Sequence, residues 1–303
     1  MIVTENLTKC FDEFTAVEEL NLQVAEGQLI GLLGPNGAGK TTTVRMLAAI
    51  LKPTAGWARV AGYDVVQHPR EVRQAVGLLT EFHGLYLRMK AQEYLGFFAD
   101  LQGMDRRVGR ERIEQLLCRF ELYDVRDKRL GEYSKGMRQK VALIRAMVHD
   151  PRVLFLDEPT SAMDPHSAKL VRDCIAGLKR DGRTVFMCTH NLAEAEQLAD
   201  RIAIIRRGRI IAEGTPSELK LRLLGRPLLE IRFARPLDGL ADIVRDMVEV
   251  ESSGEQWIRY RVADPQVANP ALVARLAAAS AQVVTVTEVQ RSLEEVYLSI
   301  VEE

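Results

Sequence analysis

The chain has 303 residues, 41 of them basic and 42 acidic, for a net charge of −1. At about 150 residues per domain that length predicts two domains, and 47 % apolar with 27 % charged residues excludes a largely disordered chain. The balanced charge argues against a general nucleic-acid binder. The opening MIVTENLTKCFDEF has no apolar stretch behind a basic start, so no signal peptide is expected. No run of about 18 apolar residues occurs, so no membrane span is expected either. Cys10, Cys118, Cys174 and Cys188 stand far apart without a CxxC pair, which fits a reduced, cytosolic setting.

In chain order, MIVTENLTK and LNLQVAEGQLIGLLG read as strands, and a Gly-rich turn then leads into the helical TTTVRMLAAIL. WARVAGYDV reads as another strand region. From about Ala91 to Glu121 the apolar spacing is helical. VLFLDEP is a short apolar strand of the kind buried on both faces of a parallel sheet, and TVFMCTH is a second. Helical patterns over 164–180 and LAEAEQLA flank the latter, and RIAIIRRGRIIAEG reads as a hairpin turning near Arg207 and Gly208. Strands alternating with helices predict an α/β core.

The composition shifts near 220–227. From Gly225 onward 8 basic residues face 13 acidic ones, against 33 and 29 in residues 1–224, and the last lysine is Lys220. The tail reads PLLEIRF (strand), LDGLADIVRDM (helix), VEVESS and QWIRYRV (strands), NPALVARLAAAS (helix) and AQVVTVTEV (strand). SLEEVYLSIVEE closes it as a helix with Ser292 and Glu295 at capping-box spacing. The order βαββαβ is that of a ferredoxin-like split fold.

Two motifs carry chemistry. Gly34-Pro35-Asn36-Gly37-Ala38-Gly39-Lys40-Thr41, with Thr42 after it, matches G-x-x-x-x-G-K-[ST] between a strand and a helix. Its glycines let backbone N–H groups converge on phosphate oxygens, and the helix N-terminus adds positive charge. Lys40 would reach the β- and γ-phosphates, and Thr41 would offer a hydroxyl to Mg²⁺. Val153–Glu158 is the second. A strand ending in an acid puts Asp157 at the carboxyl edge of a sheet, where it can hold Mg²⁺, and Glu158 beside it can polarise a water. Alone, DEP reads equally well as a solvated turn.

Over roughly residues 1–220 the chain resembles the ATP-binding subunit of an ABC transporter. Tyr133-Ser134-Lys135-Gly136-Met137-Arg138-Gln139 is similar to the signature commonly written LSGGQ. The resemblance implies that Ser134 and Gly136 face the γ-phosphate bound by another subunit, and Ser134 reads locally as a helix N-cap. It also implies that Ser161–Asp164 contacts the partner subunit, that His190 is a switch histidine bonding the γ-phosphate, and that Phe11 stacks on adenine. Without that series, His190 reads as structural and Phe11 as a core residue. Glu196 and the other acids of LAEAEQLAD read as a solvated helical face. Two positions depart from the pattern. Glu81 stands where the family usually has a metal-contacting glutamine, and Lys135 replaces a glycine of the signature.

The implied fold is an α/β P-loop ABC ATPase core over 1–222 with a helical signature subdomain at about 82–150. A small α+β C-terminal domain, ferredoxin-like in order, follows over 223–303. The implied cofactors are ATP and Mg²⁺, held with Thr41, Asp157 and Glu81 as metal ligands, and the catalytic residues are Lys40, Glu158 and His190. The implied partners are a second ATPase subunit, as a homodimer, and separate transmembrane permease subunits at the cytoplasmic side of the membrane. No nucleic acid is expected. Phe82, Leu85, Tyr86 and Leu87 form an apolar patch that suits either docking to the membrane subunits or packing within the lid. Lys135 and the closing SLEEVYLSIV are similar to ATPases of drug and polysaccharide exporters. An importer ATPase with a ligand-sensing tail and a soluble ABC ATPase are the alternatives.

Overall fold

The computed structural model describes residues 1–82, 84–161, 163–237, 239–289 and 297. The chain divides into two compact units, Met1–Pro216 and Ser217–Glu303. The closing helix expected at 292–303 lies outside the described residues, Tyr297 apart.

In the first unit, β1 (Ile2–Phe11) and β2 (Phe14–Val24) form an antiparallel hairpin. Every residue of β3 (Leu29–Leu33) is buried, and the Gly-rich loop then delivers the chain into α1 (Lys40–Leu47). β4 (Ala55–Val60) and β5 (Tyr63–Asp64) complete an antiparallel sheet of order β2-β1-β4-β5. α2 (Pro69–Ala75), started by its proline, leads into β6 (Val76–Leu79). The helical pattern from about Ala91 to Glu121 is two helices, α3 (Ala91–Leu101) and α4 (Arg106–Arg119). Gly103, at φ 73°, breaks the first, and the Asp105 carboxylate caps the second by accepting from the Arg107 and Val108 N–H groups. α5 (Lys135–Met147) follows Ser134, whose hydroxyl accepts from the Met137 N–H at 3.2 Å, as an N-cap should.

β7 (Val153–Asp157), α6 (Pro165–Arg180), β8 (Thr184–Thr189), α7 (Leu192–Leu198), β9 (Arg201–Arg206) and β10 (Arg209–Gly214) finish the core. The second sheet runs β10-β9-β3-β8-β7-β6 and is parallel except for the β9–β10 hairpin. That hairpin turns at Arg207 and Gly208, both at positive φ, as a tight two-residue turn requires. β7 and β8 are buried at every position, as their apolar sequences predict. Leu33 lies opposite Thr189, and Asp157 opposite Cys188. This register brings the ends of β3, β7 and β8 to one carboxyl edge, where ligands bind in parallel α/β sheets.

β6 and α5 touch at one point that a side chain would not survive. A Cβ on Gly77 would lie 1.9 Å from the Ala146 carbonyl oxygen, which is backbone and cannot rotate away. Gly77→Ala is therefore expected to cost about 3 kcal/mol of stability in denaturant unfolding. Gly96, inside α3 with no atom near its would-be Cβ, is the control. Gly96→Ala is expected to gain about 0.5–1 kcal/mol.

α8 (Pro216–Leu224), which lies in the second unit except for its first residue, runs through the composition break. β11 (Leu228–Phe233), α9 (Leu240–Arg245), β12 (Glu249–Ser253), β13 (Trp257–Arg261), α10 (Pro265–Ala278) and β14 (Val283–Glu288) then follow in the order read from the sequence. The sheet is antiparallel, β12-β13-β11-β14. Leu229, Ile231, Ile258, Tyr260, Leu272 and Leu276 fill its core. α10 starts before the expected NPALVARLAAAS because Asp264 caps it and Pro265 occupies its first turn.

Candidate active site

The phosphate loop is closed by its own lysine. Lys40, 7 % exposed, donates from Nζ to the carbonyl oxygens of Gly34 at 2.5 Å and Pro35 at 3.2 Å. Gly39 cannot be replaced without moving this loop. It sits at φ 107°, and a Cβ there would lie 2.5 Å from the Ala16 carbonyl oxygen on β2. The next residue, Thr41, donates its hydroxyl to Asp157 Oδ2 at 2.8 Å. Burial pushes the Asp157 carboxyl up. The Thr41 bond pulls it back down, the negative charges of Glu158 and Glu81 push it further up, and Lys40 lowers it.

Glu158 occupies a left-handed backbone position, φ 53°, that turns its carboxylate toward the loop after β8. Its Oε1 accepts the His190 N–H at 3.0 Å and lies 2.8 Å from His190 Nδ1. The Glu158 N–H donates to the Cys188 carbonyl at 2.9 Å, so the two loops are tied by backbone as well. These groups share a cleft of about 420 Å³ lined by Phe14, Ala16, Pro35, Asn36, Gly37, Gly39, Lys40, Thr41, Thr42, Glu81, Asp157, Glu158, Ser161 and His190. A slightly larger cleft, about 490 Å³, lies between α3 and α4. It holds neither the phosphate-loop residues nor Asp157, Glu158 or His190.

The donors fit Mg²⁺. A threonine hydroxyl and carboxylates are hard oxygen ligands. Among the described residues no group of three or more His, Cys, Asp or Glu is arranged to hold a metal by itself. Mg²⁺ commonly takes one or two carboxylates from protein and completes its shell with phosphate oxygens and water.

Several expected residues lie outside the cleft. Gly34 and Ala38 form the loop's back. Phe11 ends β1 opposite Phe14, with Lys9 Nζ 5.0 Å from its ring centre, and Phe14 is the aromatic residue in the lining. Ser134 and Gly136 are also outside it. Ser134 is exposed, and a Cβ on Gly136 would meet no atom within 4 Å. Asp164 caps α6 by accepting the Ser167 N–H at 3.0 Å. Of the expected apolar patch, Phe82 is 85 % exposed and Leu87 is exposed, whereas Leu85 is half-buried and the Tyr86 ring packs against Tyr94, Phe97 and Phe98.

Gln139, the last residue quoted in the signature, and Glu194 make contacts that the sequence did not predict. Gln139, in α5, donates from Nε2 to the carbonyls of Glu158 at 2.8 Å and Pro159 at 3.0 Å. Glu194 corrects the expectation of a solvated acidic face on α7: it is buried and bonded to Thr160 and Thr189. Asn191 caps α7, its Oδ1 accepting the Glu194 N–H at 3.1 Å, but the Glu194 side chain goes elsewhere.

A family model described as ABC transporter matches residues 17–161, a span that includes the phosphate loop, the signature and Asp157–Glu158. The daunorubicin/doxorubicin resistance ATP-binding protein DrrA of Streptomyces peucetius is 38 % identical over 99 % of this chain and 92 % of its own length. The chain belongs to the ABC transporter family. The Nod factor export ATP-binding protein I of Rhizobium sp. (strain N33) is 38 % identical over 85 % of this chain and 84 % of its own. A solved structure described as the ATP binding subunit of an ABC transporter matches with a TM-score of 0.70 and 27 % identity, over 74 % of this chain and 94 % of that one. The ABC ATPase fold read from the sequence is thus the one observed. Among the described residues no helix is long and apolar enough to cross a membrane.

Proposed function

We propose that this chain is the ATP-hydrolysing subunit of an exporter, and that two copies close head to tail on two ATP molecules to drive separate transmembrane permease subunits from the cytoplasmic side. The observation that carries the pairing is a separation. The cleft gathers Lys40, Thr41, Asp157, Glu158 and His190 but not Ser134 or Gly136. The N-terminus of α5 is nonetheless built to meet an anion: it is exposed, capped by Ser134 and open at Gly136. A second copy supplies what each cleft lacks. Export is favoured because the relatives named above are resistance and export proteins. The exposed patch of Phe82, Tyr86, Leu87 and Phe97 suits docking to the permease. Residues 1–222 are assigned to the ATPase domain and 223–303 to an accessory domain.

In this reading the loop N–H groups, the N-terminus of α1 and Lys40 take the phosphates, and the adenine stacks at the aromatic end of the β1–β2 hairpin, on Phe11 or Phe14. Thr41 and Asp157 would hold Mg²⁺, with Glu81 in the same cleft, and the ion would supply neutralising charge to the phosphates. Glu158 accepts the proton of the attacking water. His190, fixed against Glu158 Oε1, contacts the γ-phosphate and keeps the carboxylate aimed. ATP favours the closed pair because both copies then touch the γ-phosphate, and hydrolysis removes that shared contact. Light scattering after size-exclusion chromatography of Glu158→Gln tests the pairing. The mass is expected to double with Mg-ATP and not with Mg-ADP. A mass that ignores ATP, with or without the permease present, would overturn the pairing.

A further inference from the structure

Behind the catalytic edge lies a carboxylate that the chemistry above does not use. Glu194 sits in the first turn of α7, 3 % exposed. Its two oxygens go to the loop after β7 and to the last residue of β8. Oε1 accepts from the Thr160 hydroxyl at 2.8 Å, and Oε2 accepts from the Thr189 hydroxyl at 3.1 Å. Thr189 Oγ1 in turn accepts the Asn191 N–H at 3.0 Å. Burial pushes the Glu194 carboxyl up, against the pull of the two threonine bonds and of Arg172. A buried acid held by two hydroxyls is a poor choice for packing alone, since an apolar side chain of that size would avoid the desolvation.

The two threonines locate its purpose. Thr160 stands two residues after Glu158, and Thr189 immediately precedes His190. His190 and Glu158 touch each other directly. The contacts therefore form a ring: Glu158 through Pro159 to Thr160, across Glu194 to Thr189, on to His190 and back to Glu158. On its other side the ring is held by Gln139 of the signature helix, which bonds the Glu158 and Pro159 carbonyls. We propose that Glu194 is a positioning residue: it bridges the loop after Glu158 to the loop carrying His190 and so sets the aim of both toward the γ-phosphate. The proposal rests on the roles given above to Glu158 and His190. Glu194 touches neither Lys40 nor Thr41, so it acts on turnover rather than on nucleotide binding.

The test is steady-state ATPase kinetics of the full-length chain, with equilibrium binding of a fluorescent ATP analogue and a thermal melt for each variant. Thr160→Val keeps the shape and removes one arm of the bridge, and Glu194→Ala removes both. Both are expected to lower kcat about 10- to 100-fold, as lost outer supports of catalytic groups do. The KM and the analogue affinity are expected to stay within about twofold. Glu194→Gln can still bond both threonines, because a hydroxyl also accepts, and is expected to recover most of the turnover. Should Glu194→Ala fail to fold, Thr160→Val and Glu194→Gln decide. A normal kcat in Thr160→Val beside an inactive Glu158→Gln overturns the bridge alone, and so does a rise in KM at constant kcat. Turnover that survives Glu158→Gln overturns the reading on which the bridge rests, and the bridge with it.

Discussion

Glu158→Gln is expected to lower ATP turnover about 10²- to 10⁴-fold while leaving nucleotide affinity almost unchanged, the range general-base loss produces. The substitution is conservative in shape, and the amide oxygen can still accept the His190 N–H that Glu158 Oε1 now accepts at 3.0 Å. What disappears is the capacity to take a proton from water. Single-turnover hydrolysis and equilibrium nucleotide binding, measured on the same preparation, separate the two effects. Turnover within about fivefold of the parent would remove Glu158 from the role of base.

Lys40→Ala is expected to fail at the opposite step. The ammonium is buried and donates to two loop carbonyls, Gly34 O and Pro35 O. Its removal takes away both the phosphate's cation and the internal tie of the loop. Hydrogen bonds to charged groups contribute about 1.5–3 kcal/mol each, so ATP affinity is expected to fall by about 100-fold. Calorimetric titration checks this, with Glu158→Gln as the comparison that keeps its affinity. Equal affinity in Lys40→Ala and the parent would mean that the loop binds phosphate through its backbone alone.

Much of this molecule was legible in its sequence for particular physical reasons. VLFLD and TVFMCT are fully apolar runs ended by polar residues, and that pattern has few solutions other than central strands of a parallel sheet. The phosphate loop was legible because its glycines, lysine and threonine are each required by a different contact. The alternating strands of the tail gave the βαββαβ order, and its four-stranded antiparallel sheet has the same elements. What escaped the reading depends on contacts distant in sequence. Phe14 lines the cleft and its cross-strand partner Phe11 does not, a difference within one hairpin that strand periodicity does not carry. Glu194 reads as solvated because one residue that bonds it, Thr160, lies 34 positions away in sequence, and the other, Thr189, ends the preceding strand. The break between α3 and α4 was hidden because Gly103 and Asp105 interrupt a spacing that remains helical on both sides.

The central claim is that each working site is made from two copies, with the phosphate loop of one and the signature of the other. Mixing two inactive variants tests it most directly. Ser134→Glu has an intact loop and a signature that repels phosphate, and Lys40→Ala has an intact signature and a broken loop. Each alone is expected to be inactive. Combined in equal amounts, they can assemble one complete site per mixed pair, so ATPase activity is expected to return at an appreciable fraction of the parent's. If the mixture stays as inactive as its components while both variants fold and pair with the parent chain, the site is not shared and the account is wrong.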